Sequence, residues 1–159
     1  MSYFQLWTHG SSVQIQQPTQ TSYMERRGHA TVIEQERGTE NWFHFAIPTL
    51  KEQEEVSLKT VQIFLRVRFD RGGVIQNSRA YIDRLHVWDS LNRVLRIDDV
   101  ALRGIDWRQV TVWDIPGGAP VAHGVGLSVH IVWGPPGEFQ TVSFGRVELV
   151  AAGARFEEF

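Results

Sequence analysis

Cysteine is absent from this chain of 159 residues. That absence removes thiol catalysis, disulfide scaffolds, iron–sulfur ligation and cysteine-based zinc sites together. No uninterrupted apolar run approaches the ~18 residues a membrane-spanning helix needs, and the opening MSYFQLWTHG has neither a basic nor an apolar leader region. A cytoplasmic address is therefore expected, with no membrane partner. An excess of one charge is missing too: 16 Lys and Arg stand against 18 Asp and Glu, net −2, with the signs interspersed. No basic stripe is left to neutralise phosphates, which argues against nucleic acid. Helix-like composition is scarce. The one passable stretch, Leu50 to Leu58 (LKEQEEVSL), is short and uncapped and reads as a loop.

Aromatic residues, by contrast, are plentiful, with six Trp and nine Phe. The chain is organised around Asn41 to Pro48 (NWFHFAIP). A period of two sends Phe43, Phe45 and Ile47 to one side and Trp42, His44 and Ala46 to the other, as in the central strand of a sandwich, covered on both sides. Other strands read from Tyr3 to His9, Val13 to Ile15, His29 to Glu34, Thr60 to Asp70, Ala80 to Asp89, Val94 to Ile97, Val110 to Ile115, Val125 to Trp133 and Phe139 to Val150. In the clearest of them, Val61, Ile63, Leu65, Val67 and Phe69 alternate with Gln62, Phe64, Arg66, Arg68 and Asp70, a mostly wet face, and Arg71-Gly72-Gly73 predicts a turn into an antiparallel partner. The turn GPPG (134–137) predicts a long hairpin between the last two strands. Residues 17–28 read as a loop, and the tail AAGARFEEF is too mixed to place, its two phenylalanines suggesting docking rather than free fraying. This is the pattern of an all-β, single-domain antiparallel β-sandwich over residues 1–159, jelly-roll-like first and immunoglobulin-like Greek key second.

One spacing recurs. Trp7 and His9, Trp42 and His44, and His86 and Trp88 are each two positions apart, so in a strand each pair projects to one side; His130 also lies opposite its strand's aliphatic set. If these strands are neighbours, one sheet face carries indoles and imidazoles where solvent-facing polar residues would be ordinary, and something should cover it. A loop or the tail folding over it is the plain structural explanation. A homo-oligomer or protein-partner interface with the tryptophans as anchors is the functional one, followed by a carbohydrate site with indoles stacked on sugar rings. A cupin-like metal site on His44, His86 and His130, or His9, is third; one histidine per strand is more often a hydrogen-bonded core residue. No cofactor is expected. Ser11 and Ser12 follow His9-Gly10 without a GxSxG elbow. Asp83, Asp89, Asp98, Asp99 and Asp106 could include a paired-carboxylate site, but aspartates at strand ends are ordinary.

The phrases WTHGSSVQIQ (7–16), NWFHFAIPTL (41–50), LHVWDS (85–90) and GVGLSVHIVW (124–133) resemble a family of small uncharacterised bacterial β-proteins with WxHG, NWFHFAIPTP-like, VHVWDG-like and GLGIS-like segments. Leu50 stands where that pattern has proline, and Ser90 where it has glycine. The resemblance implies a single compact domain and carries no activity, substrate or cofactor. The reading from sequence is thus a non-enzymatic assembly or protein-interaction module that self-associates through an aromatic and histidine face, with a lectin-like carbohydrate-binding domain as the alternative.

Overall fold

Alternating inward residues produce strands at nearly every place the periodicity marks. The computed structural model describes residues 2–49, 57–69, 80–103, 109–134 and 144–158. Its strands are β1 (Tyr3–His9), β2 (Gln14–Ile15), β3 (Thr21–Arg26), β4 (Thr31–Glu36), β5 (Glu40–Ile47), β6 (Leu58–Phe69), β7 (Tyr81–Asp89), β8 (Asn92–Ile97), β9 (Thr111–Pro120), β10 (Val125–Val132) and β11 (Phe144–Glu158). Among the described residues no helix is long and apolar enough to cross a membrane.

The strands form two antiparallel sheets, β3-β4-β11-β6-β9 and β2-β5-β10-β7-β8. β1 joins the first sheet by pairing with the second half of β11, whose first half pairs with β4. Setting β1 to β3 aside, successive strands cross from sheet to sheet except at the β7–β8 hairpin, giving β4-β11-β6-β9 over β5-β10-β7-β8. That is the strand order of a jelly roll, the first expectation from sequence.

The inner faces supply the core. Phe43 and Phe45 of β5, Leu127, Val129 and Ile131 of β10 and Leu85 and Val87 of β7 meet Ile63, Leu65, Val67 and Phe69 of β6 and Val147, Leu149, Ala152, Ala154 and Phe156 of β11. Trp133 is buried among them and donates its indole N–H to the carbonyl of Gly145 at 3.0 Å, so the one polar atom of a large apolar ring is satisfied.

Several expectations are corrected. β10 and β11 do not form a hairpin: β10 pairs with β5 and β7, and β11 with β1, β4 and β6. Nor does β7 run back beside β6, since the two lie in different sheets. In both cases the core is filled from two layers, and a crossover places consecutive apolar strands face to face. Residues 17–28 contain β3, and β9 runs through Pro116-Gly117-Gly118 because both glycines adopt positive φ (75° and 71°) and absorb a register shift against β6. The tail belongs to β11, the longest strand. Val61, expected inside, is half-buried, because a bulge puts Leu58 and Thr60 inside before it and Ile63 after it. β5 is not the middle strand of its sheet; β10 is. The segments 50–56 and 71–73, and positions 135–137 of the GPPG turn, lie outside the described residues.

Two close contacts fix turns against the strands. Gly10, in a short 3-10 turn capped by His9, is buried against the middle of β11, where an added Cβ would lie 1.9 Å from the Leu149 carbonyl oxygen. This close approach explains the glycine of the WxHG segment. At the end of β7, the buried Asp89 carboxylate gathers the backbone N–H groups of Ala122, His123 and Gly124.

Candidate functional site

The outer face of the second sheet is built by register. Trp42 lies opposite His130, and His130 opposite Arg84; one row on, His44, Ser128 and His86 sit side by side, followed by Gly126 beside Trp88. On the far side, β8 sets Arg96 beside His86 and Arg93 beside Trp88. Because the partners of these residues in β5, β7 and β10 are the aliphatic core, the aromatic and imidazole groups have only the outside to occupy.

Trp42 is the centre of the cluster. Its ring lies 4.6 Å from that of His130 and 4.7 Å from that of His86, with the Arg84 guanidinium 5.5 Å from its centroid. His130 is thereby only 1% exposed although it points away from the core. Its Nδ1 meets Asp83 Oδ1 at 2.5 Å, and Arg84 Nη2 lies 3.1 and 3.3 Å from its two ring nitrogens. Asp83 reaches it because the register shift between His130 and Ile131 turns this part of β7 outward.

A second chain of hydrogen bonds runs Trp88 Nε1 to Ser128 Oγ (3.1 Å), Ser128 Oγ to His44 Nδ1 (2.8 Å) and His44 Nε2 to Gln16 Oε1 (3.2 Å). Its direction follows from its ends. An indole nitrogen can only donate and an amide oxygen only accept, so His44 gives Nε2–H to Gln16, and in the neutral imidazole Nδ1 then takes the Ser128 proton. Burial holds the His44 imidazole below its ordinary pKa, in keeping with that neutral form. His86 is also held down, first by burial and then by the charges of Arg93 and Arg96; its Nε2 is buried with no hydrogen-bond partner among the described residues.

The same facts bear on catalysis and metal. Ser128 and His44 resemble a nucleophile and base, but the serine is 6% exposed and its hydroxyl already accepts the indole N–H, which withdraws electron density from the oxygen. His44, His86 and His130 share the face, yet among the described residues no group of three His, Asp or Glu side chains converges as a metal ion requires. Asp83 serves His130, Asp89 the backbone and Asp98 the Arg96 guanidinium; Asp106 lies outside the described residues.

Trp7 and His9 are not on this face. They belong to β1 in the first sheet, where Trp7 stacks on Phe64 with centroids 5.2 Å apart and planes 17° apart. Gly153 of β11 lies between them, and a Cβ there would come within 2.8 Å of the indole, so the glycine lets the ring lie flat on the sheet. His9 caps the turn at Ser11. The expectation of one common face for all three Trp–His pairs is therefore corrected: two pairs and His130 gather, and the third is on the opposite sheet. Sequence reasoning passed over Ser128, Arg84 and Gln16. Ser128 and Arg84 each lie two positions before a histidine already singled out, so strand parity could have found them; Gln16 joins through β2 and left no such signal.

Residues 1–157 match a protein family described only as a family of unknown function. The chain belongs to that family, DUF6623. No curated protein matches this DUF6623 chain. Among solved structures it is similar to TmCBM61 in complex with β-1,4-galactotriose, at 10% identity, over 99% of this chain and 87% of that one. The TM-score of 0.29 is too low to bear on fold or ligand.

Proposed function

We propose that this DUF6623 protein is a non-enzymatic module that self-associates through the outer face of its first sheet, with Trp7 as the anchor. The observation that supports this is the Trp7–Phe64 stack: Trp7 is 38% exposed and lies in one row with Phe64 and the exposed Val112 of the edge strand β9. Tyr3, Tyr23 and Phe144, other large exposed apolar residues, lie on strands of the same sheet. Exposed apolar surface with an aromatic centre is what association buries. A mass measurement at tens of micromolar should find a dimer or higher oligomer, and Trp7→Ala should shift it toward monomer. A wild-type protein that is monomeric throughout that range refutes the proposal.

The second sheet favours a second reading, a lectin-like saccharide site on Trp42 and Trp88. Support comes from the way the polar atoms around the indoles are tied to one another, which fixes the rings before any ligand arrives and lowers the ordering cost of binding. A glycan array, followed by tryptophan fluorescence with any binder, tests it; an array without a binder removes it.

A further inference from the structure

We infer that the outer face of the second sheet takes an acidic saccharide, one carrying a carboxylate on the ring that packs against Trp88. The inference rests on the saccharide reading above and adds the ligand's charge. It begins at the edge strand β8. This strand turns Leu95 and Ile97 toward the core and so presents Arg96 to the outside beside His86, and the register shift at Val87/Trp88 sets Arg93 opposite Trp88. Both arginines are exposed.

Their donors are largely unspent. Arg96 uses only Nε, which meets both carboxylate oxygens of Asp98 at 2.7 and 2.9 Å, so its terminal nitrogens are not committed to that pair. Arg93 has no ion-pair or hydrogen-bond partner among the described residues. Elsewhere on the face the charges are matched in place: Arg84 lies against Asp83 and His130, and Glu40 lies 3.8 Å from His130. Among the described residues, the unmatched positive charge of this face is thus next to Trp88. The His86 pKa is held down first by burial and then by Arg93 and Arg96, with Asp98 acting in the opposite sense.

The geometry fits a ring with a charged substituent. Opposed residues on neighbouring strands have their Cβ atoms about 5 Å apart, so a pyranose face packed on the Trp88 indole brings a ring carboxylate within reach of Arg93. A guanidinium offers that carboxylate two parallel N–H donors, a pairing a neutral hexose cannot make. The residues Trp88 and Arg93 then act as platform and clamp.

The test titrates the full-length protein, by tryptophan fluorescence, with galacturonate and glucuronate oligomers, with the corresponding neutral hexose oligomers, and with poly-glutamate. The uronates should bind at least about tenfold more tightly than their neutral counterparts, with the difference shrinking as salt rises. Arg93→Gln combined with Arg96→Gln should abolish that preference while leaving the melting temperature unchanged. Equal binding of neutral and acidic oligomers overturns the inference but leaves the saccharide reading standing. No saccharide binding of any kind overturns both, and binding of poly-glutamate alone makes an acidic polypeptide the partner instead.

Discussion

Asp89 accepts the backbone N–H of Gly124 at 3.0 Å, and the same carboxylate takes those of Ala122 and His123 at 2.8 Å each. A side chain at the end of β7 thereby shapes the entry to β10. Burial alone would raise the Asp89 pKa; the three N–H groups outweigh it and hold the carboxyl below the usual carboxylate range. Because the folded state binds its proton less readily than the unfolded one, this stabilisation is complete above the ordinary value of about 3.9 and is lost as pH falls through the folded value. Asp89→Asn should cost about 1.5–3 kcal/mol at neutral pH, read by denaturant melts, since the amide sets an NH2 against donors. A variant as stable as wild type would show that the turn holds itself.

Burial favours a neutral His44, and the Trp88–Ser128–His44–Gln16 chain is complete with that form. Both His44 and His86 have folded pKa values below the ordinary 6.5, so the unfolded chain takes up protons first. Their contribution is therefore full above about pH 6.5 and is lost as pH falls through the folded values. Melting temperature should decline from about pH 7 to pH 5, and His44→Gln should flatten part of that slope. A wild-type melting temperature that does not change across this window contradicts the assignment.

Gly10 sits where any side chain meets the β11 backbone. Gly10→Ala should destabilise by about 3 kcal/mol, as overpacking against a backbone that cannot move aside does. Gly28, with open space around the Cβ position, is the control and should tolerate alanine.

Ser90 holds φ at +53° in the β7–β8 turn, a conformation costly for a residue with a Cβ. The glycine expected there by resemblance is thus the relaxed residue. Ser90→Gly should leave stability unchanged or raise it by up to about 1 kcal/mol, the relief being partly offset by the freer unfolded chain. A marked loss of stability would mean the Ser90 side chain has a role of its own.

The faces of β5 and β10 were legible because their period of two is unbroken: Phe43, Phe45, Leu127 and Val129 point in, and Trp42, His44, Ser128 and His130 point out. Where a bulge intervenes, parity inverts and the pattern misleads. In β11 the inward residues change from Val147 and Leu149 to Ala152, Ala154 and Phe156 across Val150, so AAGARFEEF looked patternless. Sheet membership was not legible either, because a hairpin and a crossover can share the same turn residues. That is why Trp7 could not be separated from Trp42 and Trp88.

β11 lies in the interior of the first sheet and is hydrogen-bonded to β1, β4 and β6, strands that all precede it in the chain. During synthesis these three emerge from the ribosome with bare edges and nothing to close them, a state that invites pairing with strangers. The sandwich is thus assembled only when its final strand arrives, and a chain stopped before Phe144 should show no cooperative melting transition.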